Sequence, residues 1–221
     1  MPKIVDHDAK RREIIEATWR VIDAGGLAGT TIREIAREAG CSSGVLSHYF
    51  ADREDILASA MVMAHRGVRD RTDRQAEHLN GLTALRILML ESLPLDEKRV
   101  LEARIEACFW GAAVGNEKLM RLQNSEVEGW CDRVRSRLLE AEQAGELRTG
   151  VDIDDVVDRL LALMDGFSIQ AVLNPKRTPP DRQVRHLDDL FAGIRCAGGI
   201  PAQSGTVHLS ERVLATPGPP P

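Results

Sequence analysis

Residues 30–55, TTIREIAREAGCSSGVLSHYFADRED, constrain this chain more than any other stretch. The spacing predicts two short helices joined by a sharp turn. Thr31 opens the first. Glu34, three residues on, completes a capping box, in which hydroxyl and carboxylate satisfy orphan backbone donors. Ile32, Ile35, Ala36 and Ala39 share one apolar face. Gly40 tolerates the positive φ that a tight turn requires. Ser42 is a good N-cap for the second helix. Val45, Leu46, Tyr49 and Phe50 turn inward or to the rim, leaving Ser43, Gly44, Ser47 and His48 on the other side. This is a helix-turn-helix pattern, and the ligand it implies is duplex DNA.

The remaining periodicity is helical throughout. Residues 9–24 carry Ile15, Thr18, Trp19 and Ile22 in register and stop at Gly25-Gly26. Asp52 caps a helix over 53–75 with Ile56, Leu57, Ala60, Met61, Ala64 and Val68 as its stripe. Its charged end, RGVRDRTDR, reads as solvated. Further helices are expected at 81–92, 97–114, 117–144, 152–173 and 180–195. The segment IEACFWGAAV is apolar almost all round, as a helix buried on every side is. From Gly198 the chain is rich in Pro, Gly and Ser and reads as a disordered tail. The fold class expected is all-α, with about nine helices.

Composition narrows the function classes. No apolar run reaches the ~18–20 residues of a membrane span. The opening MPKIVDHDAKRRE lacks the apolar core of a secretory signal, so a cytoplasmic protein is expected. Cys41, Cys108, Cys131 and Cys196 are far apart and form no CxxC pair, as buried thiols do; no metal or other cofactor is implied. The formal net charge is −5, and in residues 1–55 carboxylates slightly outnumber cations. Phosphate affinity must therefore come from a few cations on one face and from helix N-termini. Thr31 at a helix N-terminus, Arg53 and the arm Lys10-Arg11-Arg12 are the candidates. Ser43, Gly44, Ser47 and His48 are candidates for the groove, because short side chains let a helix approach closely and His48 can bond a base edge or a phosphate. Tyr49 is a candidate phosphate contact through its hydroxyl.

The segments RREIIEATWRVIDAGG and TTIREIAREAGCSSGVLSHYFADREDIL resemble the N-terminal domain of TetR-family transcriptional repressors. The shared features are the helix spacings, the Gly40 turn, the Ser-x-Gly of Ser42–Gly44 and the His48-Tyr49-Phe50 close. SHYFADRED, PLDEKR, EACFWGAA, EAEQAGELR and LLALMDGFSIQAVL are similar to the BetI-type branch. The resemblance covers about residues 9–195. It departs at Ser43 and Ala51, where family members often carry Lys.

The resemblance implies a helix-turn-helix DNA-binding domain over 1–52, a helical ligand-binding and dimerisation domain over 53–196, and the tail over 197–221. It further implies a homodimer on a palindromic operator in double-stranded DNA, released by a small-molecule inducer of unknown identity. Ser42 joins the DNA-binding set on this ground. Glu106, Phe109, Trp110, Met120, Trp130 and Phe167 are the candidate ligand residues. A carboxylate beside Trp favours a cation, such as a quaternary amine. Glu102 and Asp165 lie beside the same aromatics, and salt bridging to Arg104 or to surface partners is the alternative role for these acids. Leu160, Met164, Gly166, Val184, Leu187 and Phe191 are the candidate dimer interface. Gly166 costs helix stability, and a close helix crossing would explain it. Two other readings stay open from the residues. One is a DNA-organising protein without a small ligand. The other is a helical enzyme using His48 or the Glu102/Glu106 pair, although no nucleophile–base pair, metal spacing or phosphate loop accompanies them.

Overall fold

The computed structural model describes residues 7–196. The expected tail over 197–221 lies outside the described residues. Nine helices are present among the described residues: α1 (His7–Gly29), α2 (Ile32–Glu38), α3 (Ser43–Tyr49), α4 (Arg53–Ala76), α5 (Gly81–Ser92), α6 (Glu97–Ala113), α7 (Glu117–Gln143), α8 (Ile153–Leu173) and α9 (Pro180–Ile194). α1 breaks at Gly26, which adopts φ 60°. The chain therefore turns where the paired glycines predicted, and one more short turn follows. Side-chain caps open five of the later helices at Ser42, Asp52, Asp96, Asn116 and Asp152.

Two apolar cores hold the helices together. The first joins Ile14, Ile22, Ile35, Leu46, Phe50, Ile56 and Met61 with Ile105, Phe109 and Leu119. The N-terminal helices thus share their core with the end of α6 and the start of α7. IEACFWGAAV is not buried on every side as expected: Ile105, Phe109 and Ala113 face this core, but Gly111 is exposed and Val114 is 80% exposed. The second core lies between α5, α7, α8 and α9, around Leu85, Met89, Leu138, Leu160, Phe167, Leu187 and Phe191. A lone bridge between Leu147 and Arg195 pins the end of α9 to the turn after α7.

α4 belongs to both halves. Its first turns pack in the N-terminal core, and its later turns run along α5, α6 and α7. The expectation that RGVRDRTDR is solvated holds only in part: Arg66, Asp70, Asp73 and Arg74 are exposed, but Arg69, Arg71 and Thr72 are not. Arg71 hydrogen-bonds Glu91 at 2.8 Å and both carboxylate oxygens of Glu102 at 2.9 and 2.7 Å, and Thr72 is buried. Arg71 finds its partners on α5 and α6, and Arg69 and Asp73 pair with Glu126 and Arg133 on α7, which helical periodicity alone does not reveal.

The N-terminus of α5 has no side-chain cap from Asn80. Glu140 in the last turn of α7 and Glu146 just after that helix take that role: Glu140 accepts from Gly81 N at 3.2 Å, and Glu146 from Leu82 N at 2.7 Å. Anions are favoured there by the exposed N–H groups and the helix dipole. Gly81 adopts φ 55°, and a Cβ placed on it would stand 2.6 Å from Glu146 Oε2. Glycine is therefore needed at this junction on two counts.

Candidate functional site

The helix-turn-helix forms as its spacing predicts. Thr31 Oγ1 accepts from Glu34 N at 3.2 Å, and Ser42 Oγ accepts from Val45 N at 3.2 Å. Only half of the capping box is made, because the Glu34 carboxylate pairs with Arg37 at 2.8 Å instead. Gly40 turns at φ 62°. Leu46 and Phe50 are buried, Val45 and Tyr49 are half-buried, and Ser43, Gly44, Ser47 and His48 form one exposed strip along α3. Thr31 and Ser42 are exposed at the starts of α2 and α3. The Tyr49 ring lies 4.5 Å from that of His7.

The candidate cations divide. Arg53 directs Nε to the Thr30 carbonyl at 2.5 Å and Nη2 to the Leu27 carbonyl at 2.9 Å. Arg11 bonds the Tyr49 carbonyl and Ser59 Oγ, and its guanidinium lies 4.2 Å over the Phe50 ring. Both are therefore struts of the N-terminal unit, tying α1 and α4 to the loops around the turn. Lys10 pairs with Glu13 at 2.7 Å. Arg12 on α1 and Arg33 on α2 are exposed.

A cavity of about 260 Å3 opens between α4, α5, α6, α7 and α8. Its apolar wall includes Val68, Leu88, Val127, Trp130, Leu161 and Met164. Of the six candidate ligand residues, the structure brings Glu106 and Trp130 to it. Phe109 is buried in the N-terminal core, and Phe167 in the second core with its ring 5.8 Å from that of His186. Trp110 does not line the cavity either, and Met120 is exposed. Met164, expected at the dimer seam, lines the cavity. Leu160, Leu187 and Phe191 are buried within the single chain and Val184 is half-buried. Helical spacing marked all of these as inward-facing, but it does not say which side of a helix meets a cavity and which a core.

The polar lining was missed except for Glu106 and Asp165. His65 on α4 stands between two carboxylates, Nδ1 at 3.1 Å from Glu126 and Nε2 at 3.3 Å from Glu106. Burial opposes a charge on this ring, but the two hydrogen bonds outweigh it and push its pKa up to about 9, so the imidazolium persists at neutral pH. Glu126 is held down at about 2, first by the bond from His65 and then by Arg69 at 2.9 Å. Asp165 differs. It lines the cavity yet is exposed and makes no hydrogen bond among the described residues, and partial desolvation, then the neighbouring Glu106 charge, raise it to about 6. Glu102 takes the salt-bridging role, but its partner is Arg71 and not Arg104, which pairs with Asp23 instead. His65 falls one residue after the buried Ala64 in the α4 stripe, the only signal the sequence offered for it.

Comparison with known proteins fits both halves. Residues 14–69 match the tetR family of bacterial regulatory proteins, and residues 81–195 match the C-terminal domain of BetI-type transcriptional repressors. The HTH-type transcriptional regulator PksA of Bacillus subtilis is 33% identical over 183 residues, 82% of this chain and 88% of that protein. The HTH-type transcriptional regulator BetI of Escherichia coli (strain SE11) is 31% identical over 192 residues, covering 84% and 93%. Among solved structures, a Saccharomonospora viridis protein in complex with choline superposes with a TM-score of 0.78 at 26% identity, covering 86% of this chain and 99% of that one. The helices, the exposed strip on α3 and these matches agree: the chain belongs to the TetR family of DNA-binding transcriptional regulators, which act as dimers and respond to small molecules, and it is not an enzyme.

Proposed function

We propose that this chain is a repressor that occupies a palindromic operator as a homodimer and leaves it when a small cation enters the α4–α8 cavity. The observation that carries the reading is the course of α4. It begins at Arg53, three residues after the C-cap Phe50 of the recognition helix, and from His65 onward it presents His65, Val68 and Arg69 to the cavity. A ligand that moves this helix at the cavity moves the base of α3. The spacing between two recognition helices then no longer matches half-sites about one helical turn apart. Ligand control of this kind needs a coupling of roughly 1–3 kcal/mol.

On DNA, Ser43, Gly44, Ser47 and His48 read the groove, while Tyr49 and the exposed starts of α2 and α3 at Thr31 and Ser42 meet phosphates. Gly166 supports the seam of the dimer. Among the described residues, nothing beyond its own helix backbone and chain neighbours lies within 4 Å of a Cβ placed there, which leaves this face open to a close crossing by a second copy. The cation is favoured by Asp165, a carboxylate beside Glu106 with no hydrogen bond among the described residues, and by Trp130 in the cavity wall. The Saccharomonospora viridis protein in complex with choline makes a quaternary amine the first candidate.

The test is fluorescence anisotropy on an operator recovered by selection from random duplexes. Choline or a related quaternary amine should weaken operator binding at least about tenfold in the native protein and leave an Asp165→Asn variant on the DNA. Operator binding that no cation alters would overturn the gating.

A further inference from the structure

A second, smaller compartment of about 150 Å3 adjoins the cavity and shares Leu88 and Arg133 with it. Thr72, Asp73, Ser136, Arg137 and Glu140 complete its wall. Thr72 is only 5% exposed, and its Oγ1 is buried without any hydrogen-bond partner among the described residues. A buried hydroxyl left unpaired is costly, so a side chain in this position is explained when something else supplies the partner.

Arg133 lines both spaces. Its one hydrogen bond among the described residues runs from Nη2 to Asp73 at 3.0 Å, on a carboxylate whose side chain is 70% exposed. The other donors of its guanidinium are spare. Desolvation, then Arg69 and Arg137, disfavour its charge against the pull of Asp73. Arg137 is paired with Glu140 at 2.9 Å, but that carboxylate also serves Gly81 N. The compartment thus holds a crowded guanidinium with spare donors beside an unsatisfied hydroxyl. A carboxylate answers both, since it accepts two parallel N–H bonds from Arg and one from a hydroxyl.

We propose that this compartment is an anion subsite, and that the inducer is dipolar, with its cation at Asp165 and Glu106 and a carboxylate at Thr72 and Arg133. The apolar link between them would run past Leu88. The cation half rests on the function proposed above; the anion half does not.

The test compares matched ligands on the full chain by isothermal titration. One set is alkyltrimethylammonium ions. The other is ω-trimethylammonio alkanoates of the same chain lengths, about four to six carbons, which differ by the carboxylate alone. At one of these lengths the carboxylate should improve Kd by about tenfold or more. Thr72→Val and Arg133→Gln should both abolish that gain, and Thr72→Val, which lies outside the cation cavity, should leave the affinity for the plain alkylammonium within about twofold. Thr72→Val is close to isosteric and removes an unsatisfied group, so the free variant should melt no lower than the native protein, which establishes that it folds. Equal affinity of the two sets at every length, or a gain that survives Thr72→Val, would overturn the subsite. Simple alkanoates separate the two ideas. If no ammonium binds but an alkanoate does, in a manner lost in Thr72→Val, the cation reading fails and the subsite stands. If neither class binds, both fail.

Discussion

His65 on α4 and Glu126 on α7 are joined at 3.1 Å across 61 residues of sequence, and the other ring nitrogen of His65 reaches Glu106 on α6 at 3.3 Å. One imidazolium thus ties together three walls of the cavity. Its pKa is raised from 6.5 to about 9, so the folded state holds this proton more tightly than the unfolded chain. The stabilisation is fully present below pH 6.5 and is lost as pH rises through about 9. Urea unfolding should therefore weaken across that window by on the order of 2–3 kcal/mol from this group. His65→Gln should flatten this loss. An equal decline in the variant would show that His65 is not its source. Glu126 acts in the opposite direction: its pKa is lowered to about 2, so its share is present above about pH 4.5 and disappears as pH falls towards 2.

Asp165 gives the cavity its own pH response. Its pKa of about 6 means that it is mostly ionised at pH 7.5 and mostly protonated at pH 5. His65, Arg69, Glu106, Glu126 and Arg133 face the same space from α4, α6 and α7, and neither His65 nor Glu126 titrates in that interval. A permanently charged ammonium ligand should bind several-fold more weakly at pH 5 than at pH 7.5. Asp165→Asn should bind it weakly at both. A native affinity that is flat with pH would remove Asp165 from the ligand site.

Arg71 and Glu102 form a two-point ion pair between α4 and α6, with side chains 14% and 8% exposed. Breaking it strands a buried carboxylate. Arg71→Met should cost about 3–5 kcal/mol in urea unfolding, and the double change Arg71→Met with Glu102→Met should recover most of that loss. If the single change costs nothing, the pair does not hold these helices.

Arg53 separates a strut from a DNA-binding cation. Because its guanidinium is spent on the Thr30 and Leu27 carbonyls, Arg53→Gln should lower the melting temperature. The slope of log Kobs against log salt on operator DNA should stay unchanged. Were Arg53 neutralising a phosphate, the same substitution would reduce that slope by about 0.9. Ser47→Ala and His48→Ala should act on sequence preference, each lowering discrimination at the base pair it reads by roughly 1–3 kcal/mol.

Gly81→Ala tests the carboxylate-capped start of α5. The left-handed backbone alone should cost about 1–2 kcal/mol. The added methyl also displaces Glu146 from its bond to Leu82 N. Thermal unfolding measures both effects together, and an unchanged melting temperature would contradict this geometry.

The helix-turn-helix was legible because it is written in local spacings. Thr31, Gly40 and Ser42 each set a boundary within a few residues, and the inward and outward faces of α3 followed from the period alone. Helix limits elsewhere were legible for the same reason. The cavity was not, because its lining comes from five helices and is defined by what fails to fill the space between them. Phe109 and Trp130 carry the same signal in sequence, a large ring at helical spacing, yet the first is core and the second lines the cavity. Long-range partners were hidden too. Arg53 read as a surface cation because its acceptors are main-chain carbonyls more than twenty residues away.

The most direct test is operator affinity measured with and without a quaternary ammonium ligand in the native protein and in Asp165→Asn. Release of the native protein at least about tenfold more readily, with the variant unmoved, is the result expected if ligand charge in the cavity controls the spacing of the recognition helices. Equal operator affinity in all four conditions would contradict it.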